Sequence, residues 1–405
     1  MTELGQGGRI ASALGSYARA GFADAARADR LAGELGAKGL ALDPAAFAVA
    51  ADPDGALLAL VRIAEKPEAA VTLGVILADQ RAADRLLAVL GGSIALGDHL
   101  VRHPEHLAVM VEPDVLPGVG PQGPDESAGE WPGEEAQMEP TPGQWAVRAE
   151  LLRAVGADPA AAMPVAGSAA LEPLRVAYRR HLLAIAAQDL ASPTPVELFP
   201  QVGAALADLA TAVLEAALAI ARAQTKDHHQ ARLAIIAMGK CGGRELNYIS
   251  DVDVVYVAEP ASPDIPEADA LAVAADLASA LQRACIAPAK EPAIWQVDPN
   301  LRPEGKNGPL VRTLESHRAY YNKWAQTWEF QALLKARPAA GDQALGRAYY
   351  DMTRPWVWAA VGSENFVEDA QAMRRRVEEH VPAAEADRQI KLGRGGLRDV
   401  EFTVQ

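Results

Sequence analysis

Residues 233–257 read LAIIAMGKCGGRELNYISDVDVVYV: a short apolar run, a glycine-rich turn, and a second apolar run that opens with two aspartates. The runs Leu233 to Met238 and Val252 to Val257 contain repeated Ile or Val and predict two β-strands. Ile294 to Val297 predicts a third strand, which leads directly into Asp298. We therefore expect a small sheet that carries acidic residues at the ends of its strands.

Most of the remaining chain has the apolar spacing of helices. This spacing covers Met1 to Met110, resumes at Trp145, includes a helix over Ala268 to Cys285, and continues after Thr313. The predicted fold class is therefore α+β, with a small mixed sheet embedded in a predominantly helical chain.

Composition divides the chain into segments. Residues 112–145 contain 7 Pro, 6 Gly and 8 acidic side chains without Lys or Arg, which is typical of a mobile acidic insertion. Around it we predict helical regions over 1–111 and 146–230, a catalytic domain over 231–345 and a C-terminal helical segment over 346–405. An apolar pattern continues to Gln405 without a helix stop signal, so we expect the last segment to be truncated.

Net charge and cysteine content limit the classes of function. The 405 residues include 38 Lys plus Arg and 53 Asp plus Glu, and the net charge of −15 repels nucleic acid and anionic membranes unless a local basic patch reverses it. Two cysteines, Cys241 and Cys285, are too few for a disulfide framework. The most apolar segment, Ala204 to Ala221, contains Asp208 and Glu215, so it predicts a buried helix and not a membrane span. We expect a cytoplasmic protein that binds neither membrane nor nucleic acid.

Three carboxylates are the candidate catalytic and metal-binding residues. Asp251 and Asp253 lie two positions apart, so on a strand their side chains share a face about 6.6 Å apart. Asp298 ends another predicted strand of the same sheet. Hard carboxylate oxygens suit Mg²⁺, and three of them could hold two ions for phosphoryl or nucleotidyl transfer. By itself, Asp-x-Asp is more often a solvated pair on an edge strand.

A glycine-rich turn before these carboxylates makes the pattern more specific. Gly239, Gly242 and Gly243 follow the first predicted strand, and glycine lets backbone N–H groups approach a phosphate closely. The alternative for this turn alone is simple flexibility. The combination of strand, glycine turn and strand with Asp-x-Asp is far more specific than either part.

Four ordered blocks carry a resemblance to a known family. They are MGKCGGRELNYISDVDVV (238–255), VDPNLRPEGKNGPLV (297–311), WEFQALLKARP (328–338) and IKLGRGGLRDVEF (390–402). Together they resemble the bifunctional glutamine synthetase adenylyltransferase/adenylyl-removing enzymes. GGRELN at 242–247 is similar to the removing-half form, so the resemblance implies an N-terminal, adenylyl-removing half. Cys241 and Lys240 depart from the usual residues of the motif, but neither is a carboxylate, so we expect catalysis to be preserved.

The resemblance implies a nucleotidyltransferase-like sheet and a specific reaction. Inorganic phosphate would attack the α-phosphorus of adenylyl-tyrosine on glutamine synthetase and release ADP, which regulates nitrogen assimilation. The implied cofactor is Mg²⁺, with Mn²⁺ as the alternative. The implied partners are adenylylated glutamine synthetase, a PII-type nitrogen signal protein and a C-terminal adenylyltransferase half.

Basic residues near the blocks are candidates for binding phosphate. Between Ala287 and Gly341 the local charge is +3, from 8 basic and 5 acidic residues. The candidate phosphate- and nucleotide-binding residues are Gly239, Gly242, Gly243, Arg244, Ser250, Arg302, Lys306, Lys335, Arg337, Lys391 and Arg394. Several have structural alternatives: a loop pairing with Glu304 for Arg302 and Lys306, buried ion pairing with Glu329 for Lys335 and Arg337, and solvated turn charges for Lys391, Arg394 and Arg398.

Two other functional hypotheses use the same sequence. A catalytically silent module could dock glutamine synthetase or a PII-type protein, although intact Asp251, Asp253 and Asp298 argue against it. A polynucleotide or tRNA nucleotidyltransferase fits poorly with the charge of −15.

A histidine group, His99, His103 and His106, begins with helical spacing. Pro104 interrupts that spacing and no cysteine joins the group, so we do not predict a metal site there.

Overall fold

The computed structural model describes residues 14–111, 141–168, 170–361, 366–379, 381–382 and 388–404. The chain divides into two compact units. Unit 1 comprises Met1–Gly129, Thr141–Val147 and Arg175–Leu209, and unit 2 comprises Glu130–Pro140, Arg148–Leu174 and Ala210–Gln405. Of the predicted acidic insertion, residues 112–140 lie outside the described residues, and a helix begins at Pro142.

Helices make up most of the described chain. In order they are α1 (Ala25–Ala37), α2 (Pro53–Ala64), α3 (Ala70–Ala78), α4 (Gln80–Gly92), α5 (Ile94–Arg102), α6 (Pro142–Ala154), α7 (Leu171–Leu190), α8 (Pro195–Gln224), α9 (Gly239–Gly242), α10 (Glu267–Ile286), α11 (Leu314–Lys323), α12 (Thr327–Leu333), α13 (Gln343–Val361), α14 (Phe366–Glu379) and α15 (Leu397–Val404).

Unit 1 is built from α1 to α5 and nearby helical segments. Side-chain caps define where its helices begin: Asp52 accepts a hydrogen bond from Gly55 N, and Asp79 accepts one from Ala82 N. Such caps satisfy backbone donors that have no partner inside the helix. The apolar faces of α2 and α4 pack together, with Leu60 and Leu86 fully buried.

Unit 2 contains a mixed sheet of five strands, in agreement with the predicted α+β fold. The strands are β1 (Ala231–Ala237), β2 (Val252–Pro260), β3 (Val297–Asp298), β4 (Val311–Arg312) and β5 (Arg337–Gly341). The order is β3-β2-β1-β5, and β4 also pairs with β2. β1 is antiparallel to β2 and β5, whereas β2 is parallel to β3 and β4.

A hydrophobic core covers one face of this sheet. It joins Ile236 of β1 and Val255 of β2 to apolar residues of α11, α12 and α13. Within it, the hydroxyl groups of Tyr321 and Tyr349 are 2.8 Å apart and share a hydrogen bond. α10 contacts β1 and β2 as well. β1 and β2 are therefore almost completely buried, which explains their near-continuous apolar sequences.

Two strand predictions were wrong in detail. Residues after Thr313 were predicted to be helical, but Arg337–Gly341 forms β5 at the edge of the sheet. Pro338 is tolerated there because an edge strand leaves some backbone donors without a ladder partner. The third predicted strand begins at Val297, not Ile294, and includes Asp298.

The long apolar helix α8 is buried, as predicted for Ala204 to Ala221. Within the described part of the chain, α8 is the one helix long and apolar enough to cross a membrane, and 89% of its apolar window is buried inside the protein. A core helix passes the same length and composition test, so its apolarity is explained by packing.

Candidate active site

Asp251, Asp253 and Asp298 converge at one end of the sheet. One carboxylate oxygen from each lies within 4.8 Å of the corresponding oxygens of the other two. The parallel register of β2 and β3 places Asp253 directly beside Asp298. Asp251 is exposed just before β2, two positions from Asp253. The structure therefore brings together the three carboxylates that the sequence singles out.

Backbone hydrogen bonds hold Asp298 beside β2. Val252 N donates to Gln296 O at 2.9 Å, which fixes the chain just before β3. Asn300 N donates to Asp298 Oδ1 at 2.8 Å, which orients the carboxylate from its own loop. The position of Asp298 is therefore set by the strand register and by the turn that follows it.

The electrostatics of this cluster favour a bound cation. Burial, followed by the negative charges of Asp251 and Asp298, raises the pKa of Asp253 from 3.8 to about 6, while Lys391 and Arg398 act in the opposite direction. A divalent cation would relieve this repulsion. Three hard oxygen donors on a half-buried surface fit Mg²⁺ or Mn²⁺ better than a thiophilic metal.

The glycine turn after β1 packs against the carboxylates. Gly239 has φ of +51°, and a Cβ atom there would lie 2.5 Å from Asp253 Oδ2. A Cβ atom on Gly242 would lie 1.9 Å from the carbonyl oxygen of Lys335. Gly243 faces the aliphatic part of the Lys335 side chain. Glycine is thus required because the turn touches both Asp253 and the segment that leads into β5.

Arg337 holds this turn in place through hydrogen bonds to its backbone carbonyl oxygens. Its Nε donates to Gly242 O at 3.2 Å, and one terminal nitrogen donates to Cys241 O at 3.1 Å and to Thr211 Oγ1 at 3.2 Å. These contacts were not foreseen from the sequence. The predicted phosphate ligand Arg337 therefore has a positioning contact with the glycine turn.

Lys335 forms an ion pair with Glu245 and not with Glu329, the partner that the sequence suggests. Its Nζ lies 2.6 Å from Glu245 Oε2, so the alternative pairing with Glu329 is not seen. Glu329 instead accepts hydrogen bonds from Tyr320 Oη at 3.0 Å and from Gln326 N at 3.1 Å. No sequence signal indicates the pairing of Lys335 with Glu245, because the two residues are far apart in the chain.

Arg302 organises the loop between β3 and β4. It donates from a terminal nitrogen to Pro299 O at 2.9 Å and from Nε to Gly308 O at 3.3 Å. Glu304, the partner that the sequence suggests for Arg302 and Lys306, forms an ion pair with Arg312 instead. Lys306 is exposed on this loop.

Two further candidates lie in the segment between the glycine turn and Asp251. Ser250 is half-buried beside Asp251. Arg244 has a left-handed backbone with φ of +56°.

The C-terminal block contributes positive charge to the carboxylate cluster. Both Lys391 and Arg398 act electrostatically on Asp253. Arg398 N donates to Lys391 O at 3.0 Å, so the two residues are held together. Arg394 is exposed and acts on Asp399. The sequence groups Arg398 with Lys391 and Arg394, and the folded turn brings Arg398 and Lys391 together.

Comparisons with known proteins agree with the resemblance. The family model for glutamate-ammonia ligase adenylyltransferase matches residues 134–351, and the model for GlnD PII-uridylyltransferase matches residues 371–405. Curated relatives include the bifunctional glutamine synthetase adenylyltransferase/adenylyl-removing enzymes of Streptomyces avermitilis and Streptomyces coelicolor, each 48% identical over 98% of this chain and 37% of the relative. The corresponding enzyme of Mycolicibacterium smegmatis is 47% identical over 88% of this chain and 33% of the relative.

The chain spans about a third of the length of the curated relatives it matches. The first family model, however, covers more than half of the 405 residues and includes all three carboxylates. The chain therefore belongs to the glutamate-ammonia ligase adenylyltransferase family.

Proposed function

We propose that this chain removes AMP from adenylyl-tyrosine of glutamine synthetase by phosphorolysis. The observation that carries the proposal is the convergence of Asp251, Asp253 and Asp298 within 4.8 Å on paired strands. The relatives are named as adenylyltransferase/adenylyl-removing enzymes, which supports nucleotidyl transfer on glutamine synthetase. The GGRELN motif, residues 242–247, favours removal over attachment of AMP.

The proposed reaction exchanges one phosphorus–oxygen bond for another. An oxygen of hydrogen phosphate attacks the α-phosphorus of the adenylyl group, and the bond from that phosphorus to the tyrosine oxygen breaks. The new bond completes ADP. The proton of hydrogen phosphate ends on the phenol oxygen, so the products are ADP and unmodified tyrosine.

The three carboxylates would hold Mg²⁺, with Mn²⁺ as the alternative metal. When bound, such an ion neutralises charge on the attacking and leaving oxygens of a phosphoryl transfer. Asp253 and Asp298 are presented by paired strands, so their orientation is fixed before substrate arrives. This rigidity favours stabilisation of charge without reorganisation during the reaction.

Positive side chains near the carboxylates would attract the anionic substrates. The positive charges of Lys391 and Arg398 act to lower the pKa of Asp253, and they offset part of the negative charge of the carboxylates. One terminal nitrogen of Arg398 donates to Glu401 Oε2 at 3.0 Å, and its remaining donors would hold the attacking anion. Gly239 and Gly242 keep the neighbouring turn close to this site.

The proposed physiological role is regulation of glutamine synthetase in the cytoplasm. The partners would be adenylylated glutamine synthetase and a PII-type signal protein, in a longer enzyme that also has an adenylyltransferase half. The competing hypothesis is a silent docking module for the same proteins. All three carboxylates are present and lie within 4.8 Å of one another, which favours the enzyme.

The test is to incubate the chain with adenylylated glutamine synthetase, Mg²⁺ and phosphate, and to follow ADP and the mass of the synthetase subunit. We expect ADP only when phosphate is present, with loss of one AMP per modified subunit. Asp251→Asn/Asp253→Asn should abolish ADP release while circular dichroism stays unchanged. Asp264→Asn, at an exposed turn, is the matched control.

Two results would contradict the proposal. AMP removal by the double variant would exclude the carboxylates as the catalytic group. Absence of ADP from a folded chain that binds Mg²⁺ would favour the docking module.

A further inference from the structure

The glycine turn beside the carboxylates needs support from other parts of unit 2. α9 has only four residues, Gly239–Gly242, and two of them are glycines. Such a short helix forms too few internal hydrogen bonds to offset its ordering entropy, and glycine increases that entropy further. Within the described residues, Met238, which precedes the helix, provides no side-chain cap. Contacts from outside the turn must therefore fix its position.

The turn fills a narrow space between Asp253 and the segment before β5. A Cβ atom on Gly239 would lie 2.5 Å from Asp253 Oδ2. At the other end of the turn, a Cβ atom on Gly242 would lie 1.9 Å from Lys335 O. Met238 N donates to Asp253 O at 2.9 Å, which holds the backbone of Asp253 but not its carboxylate. The orientation of this carboxylate therefore depends on where Gly239 lies.

Arg337 of β5 holds the end of the turn that is opposite to Gly239. The antiparallel register pairs Arg337 with Ala237, two residues before the turn. Its Nε donates to Gly242 O at 3.2 Å, and a terminal nitrogen donates to Cys241 O at 3.1 Å. Carbonyl groups at the end of a helix lack partners inside it, and positive charge is favourable there. One guanidinium group thus satisfies two adjacent carbonyl oxygens of α9.

A buried helix orients the guanidinium group of Arg337. The terminal nitrogen that donates to Cys241 O also donates to Thr211 Oγ1 at 3.2 Å. Thr211 lies on α8 between Ala210 and Ala212, which are both buried. The planar guanidinium makes these contacts in one fixed geometry, whereas the ammonium group of lysine is a point charge on a flexible stem. Lysine at position 337 would therefore keep the charge and lose the geometry.

We propose that Arg337 is a positioning residue that acts on Asp253 through the glycine turn. By holding Cys241 and Gly242, it keeps Gly239 against the Asp253 carboxylate and preserves the arrangement of the three carboxylates for a divalent cation. This role differs from the phosphate-binding role that the sequence predicts for Arg337. The inference rests on the proposed phosphorolysis for its effect on turnover, but its effect on metal binding can be measured without that reaction.

The first measurement is Mn²⁺ binding by the complete chain, followed through the electron paramagnetic resonance signal of the free ion. Loss of the tightest site in Asp253→Asn assigns that site to the carboxylates. Arg337→Lys and Arg337→Gln should each weaken it by about 10-fold or more, because residues that orient metal ligands contribute roughly 10- to 100-fold to affinity. Thr211→Val, which removes one partner of the guanidinium group, should weaken it by a smaller factor.

The second measurement is the rate of ADP release from adenylylated glutamine synthetase. We expect kcat of Arg337→Lys to fall by about 10- to 100-fold while the KM for phosphate changes by less than about threefold. A phosphate ligand would instead raise this KM. The matched control is Arg347→Lys, because the Arg347 side chain is 42% exposed and pairs with Asp351 one helical turn away. This control should equal the wild type in both measurements, and circular dichroism checks that every variant folds.

Wild-type Mn²⁺ affinity and kcat in both Arg337 variants would overturn the proposal. Unchanged Mn²⁺ affinity with a raised KM for phosphate would also overturn it, since Arg337 would then be a phosphate ligand. Should both variants fail to fold, Thr211→Val replaces them: weaker Mn²⁺ binding supports the proposal and wild-type binding overturns it. The proposed reaction fails separately, if the folded wild type releases no ADP, and weaker Mn²⁺ binding by Arg337→Lys would then still support the positioning role.

Discussion

Replacement of Asp253 by Asn should stabilise the metal-free protein at neutral pH while it removes activity. Burial and two neighbouring carboxylates raise the pKa of Asp253 from 3.8 to about 6. The folded state therefore holds this proton more tightly than the unfolded state. The resulting stability is fully present below pH 3.8 and is lost as the pH rises through about 6.

The size of the effect follows from this pKa shift. A shift of about two pKa units corresponds to about 3 kcal/mol. Asp253 is only partly buried, so solvent screening reduces the figure to about 1–2 kcal/mol. For a unit of this size, that corresponds to an increase in Tm of about 2–8 °C. Asn removes the charge with little change in shape, so it should recover this free energy at neutral pH.

Calorimetry of the metal-free proteins at about pH 7.5 and about pH 4.5 measures this difference. The variant should unfold at the higher temperature at the first pH, and the gap should shrink at the second. Added Mg²⁺ should stabilise the wild type and not Asp253→Asn. Asp264→Asn, an exposed control, should change stability by less than about 0.5 kcal/mol. An Asp253→Asn protein no more stable than the wild type at neutral pH would refute the repulsion argument.

Two further substitutions test the glycine turn at the site and a buried ion pair elsewhere in unit 2. Gly239→Ala should destabilise the chain by about 1–3 kcal/mol and remove activity, because it combines a positive φ with a contact to Asp253; full activity would contradict this. Its control, Gly33→Ala on the exposed face of α1, meets no atom within 4 Å and should stabilise by up to about 1 kcal/mol. Glu215→Gln should lower the free energy of unfolding by about 3–5 kcal/mol, because it leaves the buried Arg222, 3.7 Å away, without its charge partner. Calorimetry measures the loss, and a change below about 1 kcal/mol would show that the pair contributes little.

The two long strands and the acidic cluster could be predicted because their signals are local. β1 and β2 are buried and therefore continuously apolar, and the alternation of side chains along a strand places Asp251 and Asp253 on one face. Asp298 was found because it ends an apolar run. The proximity of all three carboxylates could be predicted by assuming that the three strands belong to one small sheet.

The features that were missed depend on contacts between distant residues. β5 contains Pro338 and small residues, so nothing in its own sequence outweighs a helical interpretation; pairing with β1 makes it a strand. The contacts of Lys335 with Glu245 and of Arg337 with the glycine turn are likewise set by the position of β5. The sequence predicts Lys335 and Arg337 as phosphate ligands, whereas their contacts with Glu245 and Gly242 become visible only in the folded chain.

The two-residue strand β3 restricts how the length of the chain can vary among related sequences. Ile294 N donates a hydrogen bond to Cys285 O, and Val252 N donates one to Gln296 O, so residues 294–296 are anchored directly before β3. Loss or gain of one residue there would turn the side chain beside Asp253 to the opposite face. The exposed turn 261–266, at the other end of β2, carries no such constraint. Insertions and deletions should accumulate in that turn during evolution and be absent from 294–296.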